Sequence, residues 1–366
     1  MMSLNWSTQT NKITMTRIQY IIPAVVLLLT GCGRYSDDLV MQPENRPIEI
    51  GISDEWTDHT KAAYNQVTDL EEDGFIVWAT CDKPEDDSSI EVIFGQAGTK
   101  VYAPLWTYSP ARYWQKGTYS FAAILPASAF NATYATPSET QVAPYGTQGT
   151  NSLTLNFGTN GYNLATEQDD IMVAFADVDN SESTMGTVVN GQTKKVSLTF
   201  KHQLALVKIK GVNQEPRTDI RIDEISVYGN SASTAGNMVF NYNPADGKIT
   251  ADYDLATPKT TKDKVFRTMS GNDDEWVLPA NNEKSLVDDL IVFPEDCTFN
   301  IVVKYTDLYG GSQIQYTKTG SLSAKWEVGK MYTYTFSIDL DNIIFSTPTV
   351  APWPDGTQPF DDAIEM

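Results

Sequence analysis

Apolar residues in this chain recur at every second position, the period of β-strands that lay one face on a core. The clearest stretch is Lys330 to Leu340, where Tyr332, Tyr334, Phe336, Ile338 and Leu340 share one face and Thr333, Thr335, Ser337 and Asp339 the other. Phe299, Ile301, Val303 and Tyr305 repeat the alternation, as do Ile90, Val92 and Phe94. Between Val196 and Ile209 the apolar set Val196, Leu198, Phe200, Leu204 and Leu206 passes into Val207 and Ile209, a change of phase that predicts a bulge or a move between sheets. Turn-forming stretches separate the strands: Asn243 to Gly247, Tyr309 to Ser312, and the Thr-, Pro-, Gly- and Ser-rich segment Thr133 to Thr150. One helical pattern interrupts them, Asp54 to Leu70, with Ser53 as N-cap and Trp56, Ala63, Tyr64, Val67 and Leu70 on one side. Many short strands and one helix predict an all-β chain of antiparallel sheets packed as sandwiches.

Length divides that pattern in two. A chain of 366 residues exceeds what one hydrophobic core organises, so two sandwiches are expected, over residues 48–190 and 191–341. The break falls in the polar segment Asp179 to Gln192, because a fresh series of strands opens at Lys194. No internal repeat is evident.

The amino terminus supplies an address. Tyr20 to Cys32 carries an apolar run of about eleven residues behind Lys12 and Arg17, short of the roughly 20 that span a membrane and suited to an export signal. Met15 is the expected start of that leader, because Met-Thr-Arg-Ile-Gln-Tyr makes a short basic opening. Leu29-Thr30-Gly31-Cys32 resembles the bacterial lipoprotein cleavage site, which implies that residues 1–32 are removed and that Cys32 receives lipid. An ordinary secretory signal with an incidental cysteine is the alternative. Residues 33–47 then form a tether, and Ser36-Asp37-Asp38 resembles the acidic signal that sends Bacteroidetes lipoproteins to the outer face of the outer membrane.

Charge narrows the partners. Removing residues 1–32, with two basic residues and no acid, takes the formal charge from −21 to −23. So acidic a surface repels phosphate backbones and anionic lipid heads, which argues against nucleic acid and leaves an acyl chain as the membrane link. Besides Cys32 there are only Cys81 and Cys297, each beside a strand-like run. An exported chain permits a disulfide between them, and two buried thiols are the preferred reading.

Candidate chemistry is sparse. The only histidines are His59 and His202, and no phosphate-binding glycine loop, zinc spacing or nucleophile elbow is present, so no catalytic residue, cofactor or metal is expected. His202 lies on the apolar face of its strand and reads as a core histidine satisfied by a hydrogen bond; His59 reads as an exposed position on the helix. Asp177, Asp179 and Ser181, and Glu167 with Asp169 and Asp170, lack the glycine and terminal glutamate of a calcium loop and read as solvated acidic loops. A carboxylate pair for glycoside hydrolysis is a matter of spatial separation, which the sequence does not locate among 47 acids. The aromatics Trp106, Tyr108, Tyr113, Trp114 and Tyr119 allow two readings, a glycan contact through Trp106 and Trp114 or the filling of a sandwich core.

Six segments in order resemble the Bacteroidetes fimbrillin family of Mfa-like and FimA-like pilus subunits. They are the lipobox at Cys32, Gly74 to Ala79, the aromatic pair Tyr108 to Trp114 with Tyr119 to Pro126, Gln168 to Ala174, Val196 to Val207 with His202 and Ala205 in place, and Trp326 to Phe336. The resemblance implies two transthyretin-like β-sandwich domains in tandem and a structural subunit of a surface pilus, without enzymatic activity. Its implied partners are other pilus subunits, the outer membrane through the lipid anchor, and a host or bacterial surface receptor. It further implies assembly by strand exchange, in which a protease removes the first strand after an arginine and another subunit's strand fills the groove.

Arg46, before Pro47-Ile-Glu-Ile-Gly51, is the processing arginine by position. Trypsin-like proteases cut Arg–Pro bonds poorly, so Arg34 competes with it, or the subunit keeps its lipid and serves as an anchor. At the other end, residues 342–366 form an extension in which Ile343, Phe345, Val350 and Trp353 are candidate plugs of a donor strand. The alternative is that the segment packs on its own domain and ends in an acidic tail from Asp355. Two rival functions stand beside the pilus subunit: a monomeric surface lipoprotein that binds glycans, and a hydrolase on a sandwich scaffold.

Overall fold

The computed structural model describes residues 46–52, 74–83, 90–94, 98–102, 106–127, 142–146, 150–155, 162–163, 168–189, 192–229, 232–233, 235–243, 247–255, 265–270, 276–309, 313–339 and 342–353. The leader with Cys32 and Arg34, the helical pattern with His59, and the acidic tail lie outside them.

A central antiparallel sheet runs in the order Lys201–His202, Met172–Asp179, Thr118–Leu125, Phe75–Asp82, Ile90–Val92, with Thr99–Val101 also paired to Phe75–Asp82. Both of its faces are covered. Phe75, Val77, Ala79, Tyr119, Phe121, Ala123, Met172 and Ala174 join one apolar cluster with Ile48, Ile50, Ile52, Trp114, Val196, Leu198 and Phe200. From the same strands, Trp78, Ala122, Ile124, Val173 and Phe175 join a second, larger cluster. Double burial explains why these strands read as unbroken apolar runs, whereas a strand with one wet face alternates.

The second cluster fills the space between two further sheets. In one, Ala205–Asn213 lies between Glu283–Val292 and Lys330–Asp339, running parallel to the latter. Asn342–Phe345 and Thr349–Pro352 complete its edge. In the other, Ile220–Gly229 and Asp296–Asp307 are flanked by Val265–Ser270 and by Ile314–Lys325, the second arm of a long hairpin. Tyr332, Tyr334, Phe336 and Ile338 are all buried, as their alternation predicts. The phase change after Phe200 is a move between sheets. Val196–Leu198 pairs with Ile50–Ile52, Lys201–His202 joins the central sheet, and Ala205–Asn213 enters the next, with a register shift between Val207 and Ile209.

Strands from either side of residue 190 share a sheet. Thr150–Leu155 and Tyr162–Asn163 both pair with Ala235–Asn243, which in turn pairs with Lys248–Leu255. Residues Met41–Met366 accordingly form one compact unit. Cys81 and Cys297 are buried thiols that belong to different clusters and form no disulfide, and burial pushes the Cys81 thiol up.

Candidate functional site

Two terminal segments carry the residues on which strand exchange would depend. The first begins at Arg46. Ile48, Ile50 and Ile52 alternate with Pro47, Glu49 and Gly51 and are 1%, 3% and 5% exposed, which sends every second side chain into the cluster on the outer face of the central sheet. Ile50 lies opposite Val196 and Ile52 opposite Leu198 in a parallel, two-stranded sheet. Burying three isoleucines in this way is worth roughly 5–9 kcal/mol before the cost of ordering the backbone.

Backbone bonds continue the strand toward Arg46. The Val196 amide donates to the Glu49 carbonyl at 2.9 Å, the Ile48 amide to the Arg112 carbonyl at 2.8 Å, and the Trp114 amide to the Arg46 carbonyl at 2.8 Å. The Tyr108 hydroxyl donates to the Ile48 carbonyl at 2.7 Å. The Arg46 guanidinium reaches across the fold and donates from Nη1 to the carbonyls of Ser183 at 2.9 Å and Met185 at 3.5 Å. Gly186, at φ +69°, lies against it, and a Cβ there would meet the Arg46 Cβ at 2.8 Å. Glycine is therefore required at 186 both for the left-handed backbone and for the close approach.

A protease that binds its substrate as an added strand needs free main-chain groups on both sides of the bond it cuts. The Arg46–Pro47 bond has its carbonyl engaged with Trp114 and its side chain engaged with the 183–186 turn. It also lies before the buried strand, so a cut there leaves Ile50–Ile52 attached to the folded chain.

The second segment is held differently. Asn342–Phe345 and Thr349–Pro352 both run antiparallel to Lys330–Asp339, with Phe345 opposite Phe336 and Val350 opposite Tyr332. Phe345 lies over Gly320 of the long hairpin, where a Cβ would overlap the phenyl ring. Trp353 is 3% exposed and stacks on His202, with ring centroids 4.1 Å apart and planes 10° apart. His202 is fixed from beneath by Asp170, whose Oδ1 lies 3.0 Å from Nδ1, and the Trp353 amide donates to the Gly329 carbonyl at 2.8 Å. Ile343 packs against the larger cluster, and Val350 points to solvent at 54% exposure. Three of the four candidate plugs are thus occupied within their own subunit.

The aromatics split in an instructive way. Trp114 is 1% exposed, with its ring centroid 4.8 Å from that of Tyr119, so it fills the core and offers no face to a sugar. Trp106 is half-buried, at φ 50°, with its ring 5.6 Å from Phe75. The aromatics that do reach solvent here are Tyr102 and Tyr113. Of the acidic positions, Asp179 accepts the Ser181 amide at 2.9 Å, which holds its carboxyl below the usual range, and Asp177 accepts the Ser120 hydroxyl at 2.8 Å. Among the described residues no three His, Cys, Asp or Glu side chains converge as a metal set.

Three comparisons bear on family. No curated protein matches the chain. Among solved structures, a cell adhesion protein from Bacteroides uniformis is 14% identical over 84% of this chain and 97% of its own, with a TM-score of 0.37. The tip fimbrial protein Mfa3 from Porphyromonas gingivalis is 9% identical over 84% of this chain and 100% of its own, with a TM-score of 0.27. The fimbrial anchor protein Mfa2 from the same organism is 10% identical over 77% and 90%, also at 0.27. The assignment rests on the sequence pattern of the fimbrillin-like family, which matches residues 60–353, most of the chain. The chain belongs to the fimbrillin-like family.

Proposed function

We propose that this protein is a structural or adhesive subunit of a cell-surface pilus, exported as a lipoprotein acylated at Cys32, carried to the outer membrane, processed at Arg46 and joined to its neighbours by strand exchange. The observation that carries the reading is the N-terminal strand, three alternating isoleucines laid into an apolar groove beside Val196–Leu198. Such a strand is a plug. Taking it out opens a groove that main-chain hydrogen bonds and alternate side chains from another strand can fill. The partners are other pilus subunits, and the role is mechanical, without a reacting substrate.

A glycan-binding surface lipoprotein is the second reading, and the exposed Tyr102 and Tyr113 favour it over the buried Trp114. Gel analysis of protein taken from native cell surfaces separates the two. A ladder of subunits that resists mild heating in detergent is expected of the pilus subunit. A single lipid-bearing band, with glycan affinity lost on Tyr102→Ala and Tyr113→Ala, would establish the other.

A further inference from the structure

We infer that Lys100, Tyr102, Arg112 and Tyr113 form a binding face for acidic saccharides, the tyrosine rings stacking on sugar and the two cations taking its carboxylate. The inference rests on the glycan-contact reading above and adds the charge class of the sugar and the residues that select it. It does not depend on how copies join.

Charge is the first argument. Residues 92–138 contain no Asp or Glu in 47 consecutive positions, in a chain with 47 acids among 366 residues, and the same stretch holds Lys100, Arg112 and Lys116. A strongly acidic protein thus reserves one positive stretch. Among the described residues, neither Lys100 nor Arg112 forms an ion pair with a carboxylate.

Alternation turns the rings the same way. Val101 and Trp114, the neighbours of Tyr102 and Tyr113, are 0% and 1% exposed and belong to one apolar cluster. Both tyrosines pair in extended backbone, so they face away from that cluster, at 48% and 49% exposure. Lys100 lies two positions before Tyr102 and shares its side, with Nζ 5.1 Å from the ring centroid. Arg112 is exposed and stands close enough to the Tyr108 hydroxyl to oppose the rise that burial gives its pKa.

The support beneath is rigid. Tyr102 and Thr107 exchange amide-to-carbonyl bonds of 2.9 and 3.0 Å, closing the turn that carries Trp106. Trp106 holds φ 50°, a backbone that a bulky residue keeps only when its surroundings impose it, and its ring lies 5.6 Å from Phe75. Tyr108 packs edge-on to Phe94 at 5.2 Å and donates its hydroxyl to the Ile48 carbonyl. A platform fixed in advance loses little freedom when a ligand is laid on it.

These groups suit an acidic sugar. A tyrosine offers an apolar face to the C–H side of a pyranose and a hydroxyl to its alcohols. Lys100 supplies a point charge, and Arg112 a planar fork that matches a carboxylate. Two cations on a chain of net charge −21 fit an acid group carried by an otherwise neutral ring, whereas a continuous phosphate backbone would meet the repulsion of the remaining surface. Glu49, exposed on the neighbouring strand, acts on the same Tyr108 hydroxyl and so borders the face with opposing charge.

Titration of the full-length protein with tetragalacturonate and with its fully methyl-esterified form tests the inference. Sialyllactose set against lactose repeats the comparison with a sialate in place of a uronate. The acid of at least one pair is expected to bind more tightly than its neutral partner, with an affinity that falls as salt rises. Arg112→Gln should weaken that acid about tenfold, Glu49→Gln should strengthen it about twofold, and Tyr102→Ala and Tyr113→Ala should weaken acid and neutral forms alike. All four positions are exposed, so thermal unfolding should stay unchanged. Equal affinity within both pairs would overturn the inference and leave a glycan contact standing, and no binding of any of the four saccharides would overturn both. An acid preference that survives Lys100→Gln with Arg112→Gln would place the carboxylate elsewhere and overturn it too, as would tighter binding of a single-stranded oligothymidylate than of either acid.

Discussion

The two ends of the folded chain are both peripheral strands, one in a two-stranded sheet and the other at the edge of a five-stranded one, and they are fastened on different principles. The N-terminal arm is held by apolar burial and by a clasp, the Arg46 guanidinium on the Ser183 and Met185 carbonyls. The C-terminal segment is held by shape: a phenyl ring over a glycine and an indole over a histidine. A side chain that fills a matching gap loses its contacts gradually only if the gap also deforms, whereas a hydrogen-bonded clasp is lost in one step. One end thus depends on a single polar contact beside its buried strand, and the other on two shape-matched ones.

Substitutions should separate the two designs. The largest effect is expected from Ile50→Asp, which buries an unpaired carboxylate in the N-terminal groove and should cost about 4 kcal/mol or more in denaturant unfolding. A loss under about 1 kcal/mol would mean that the arm is already out of its groove in solution.

Next comes Trp353→Ala, with an expected loss of about 3 kcal/mol and faster amide exchange across Thr349–Pro352. Exchange that speeds up equally over Ile50–Ile52 would show that the two ends are coupled, against the contrast drawn here. Gly320→Ala should cost about 2 kcal/mol by displacing Phe345, with the exchange of Asn342–Phe345 raised and the N-terminal arm unaffected.

The smallest effect belongs to Arg46→Ala, about 1 kcal/mol. Its signature is local: amide exchange at Ile48 should rise while the rest of the fold keeps its protection. Unchanged exchange at Ile48 would deprive Arg46 of its role as clasp.

Much of the architecture is legible in the residue pattern, because alternation is a direct record of one buried face. Tyr332 to Ile338 and Phe299 to Tyr305 show it, and both sets are buried. The central sheet is harder to read. Phe75 to Cys81 carries apolar side chains toward both clusters, and a sequence does not say which of two buried faces a residue occupies. For that reason Trp114 invites a glycan reading that its burial removes.

The Arg46 clasp is the least legible feature. Its acceptors are main-chain carbonyls 137 and 139 residues away, which leave no side-chain signature. The Phe345 socket left a faint one. An isolated glycine inside the alternating strand Ile314–Lys325 marks a close approach, though not by which residue. Length and polarity suggest a boundary near residue 190 but say nothing of strand partners such as Thr150–Leu155 and Ala235–Asn243, which lie on either side of it.

The most direct test is to determine, by mass spectrometry, the amino terminus of subunits recovered from the detergent-resistant ladder of native cell surfaces. The account gives Pro47, with the isoleucine strand retained and Arg46 gone. Subunits that build the ladder while still beginning at a lipid-bearing Cys32 would contradict it, since the clasp would then be intact in the assembled state.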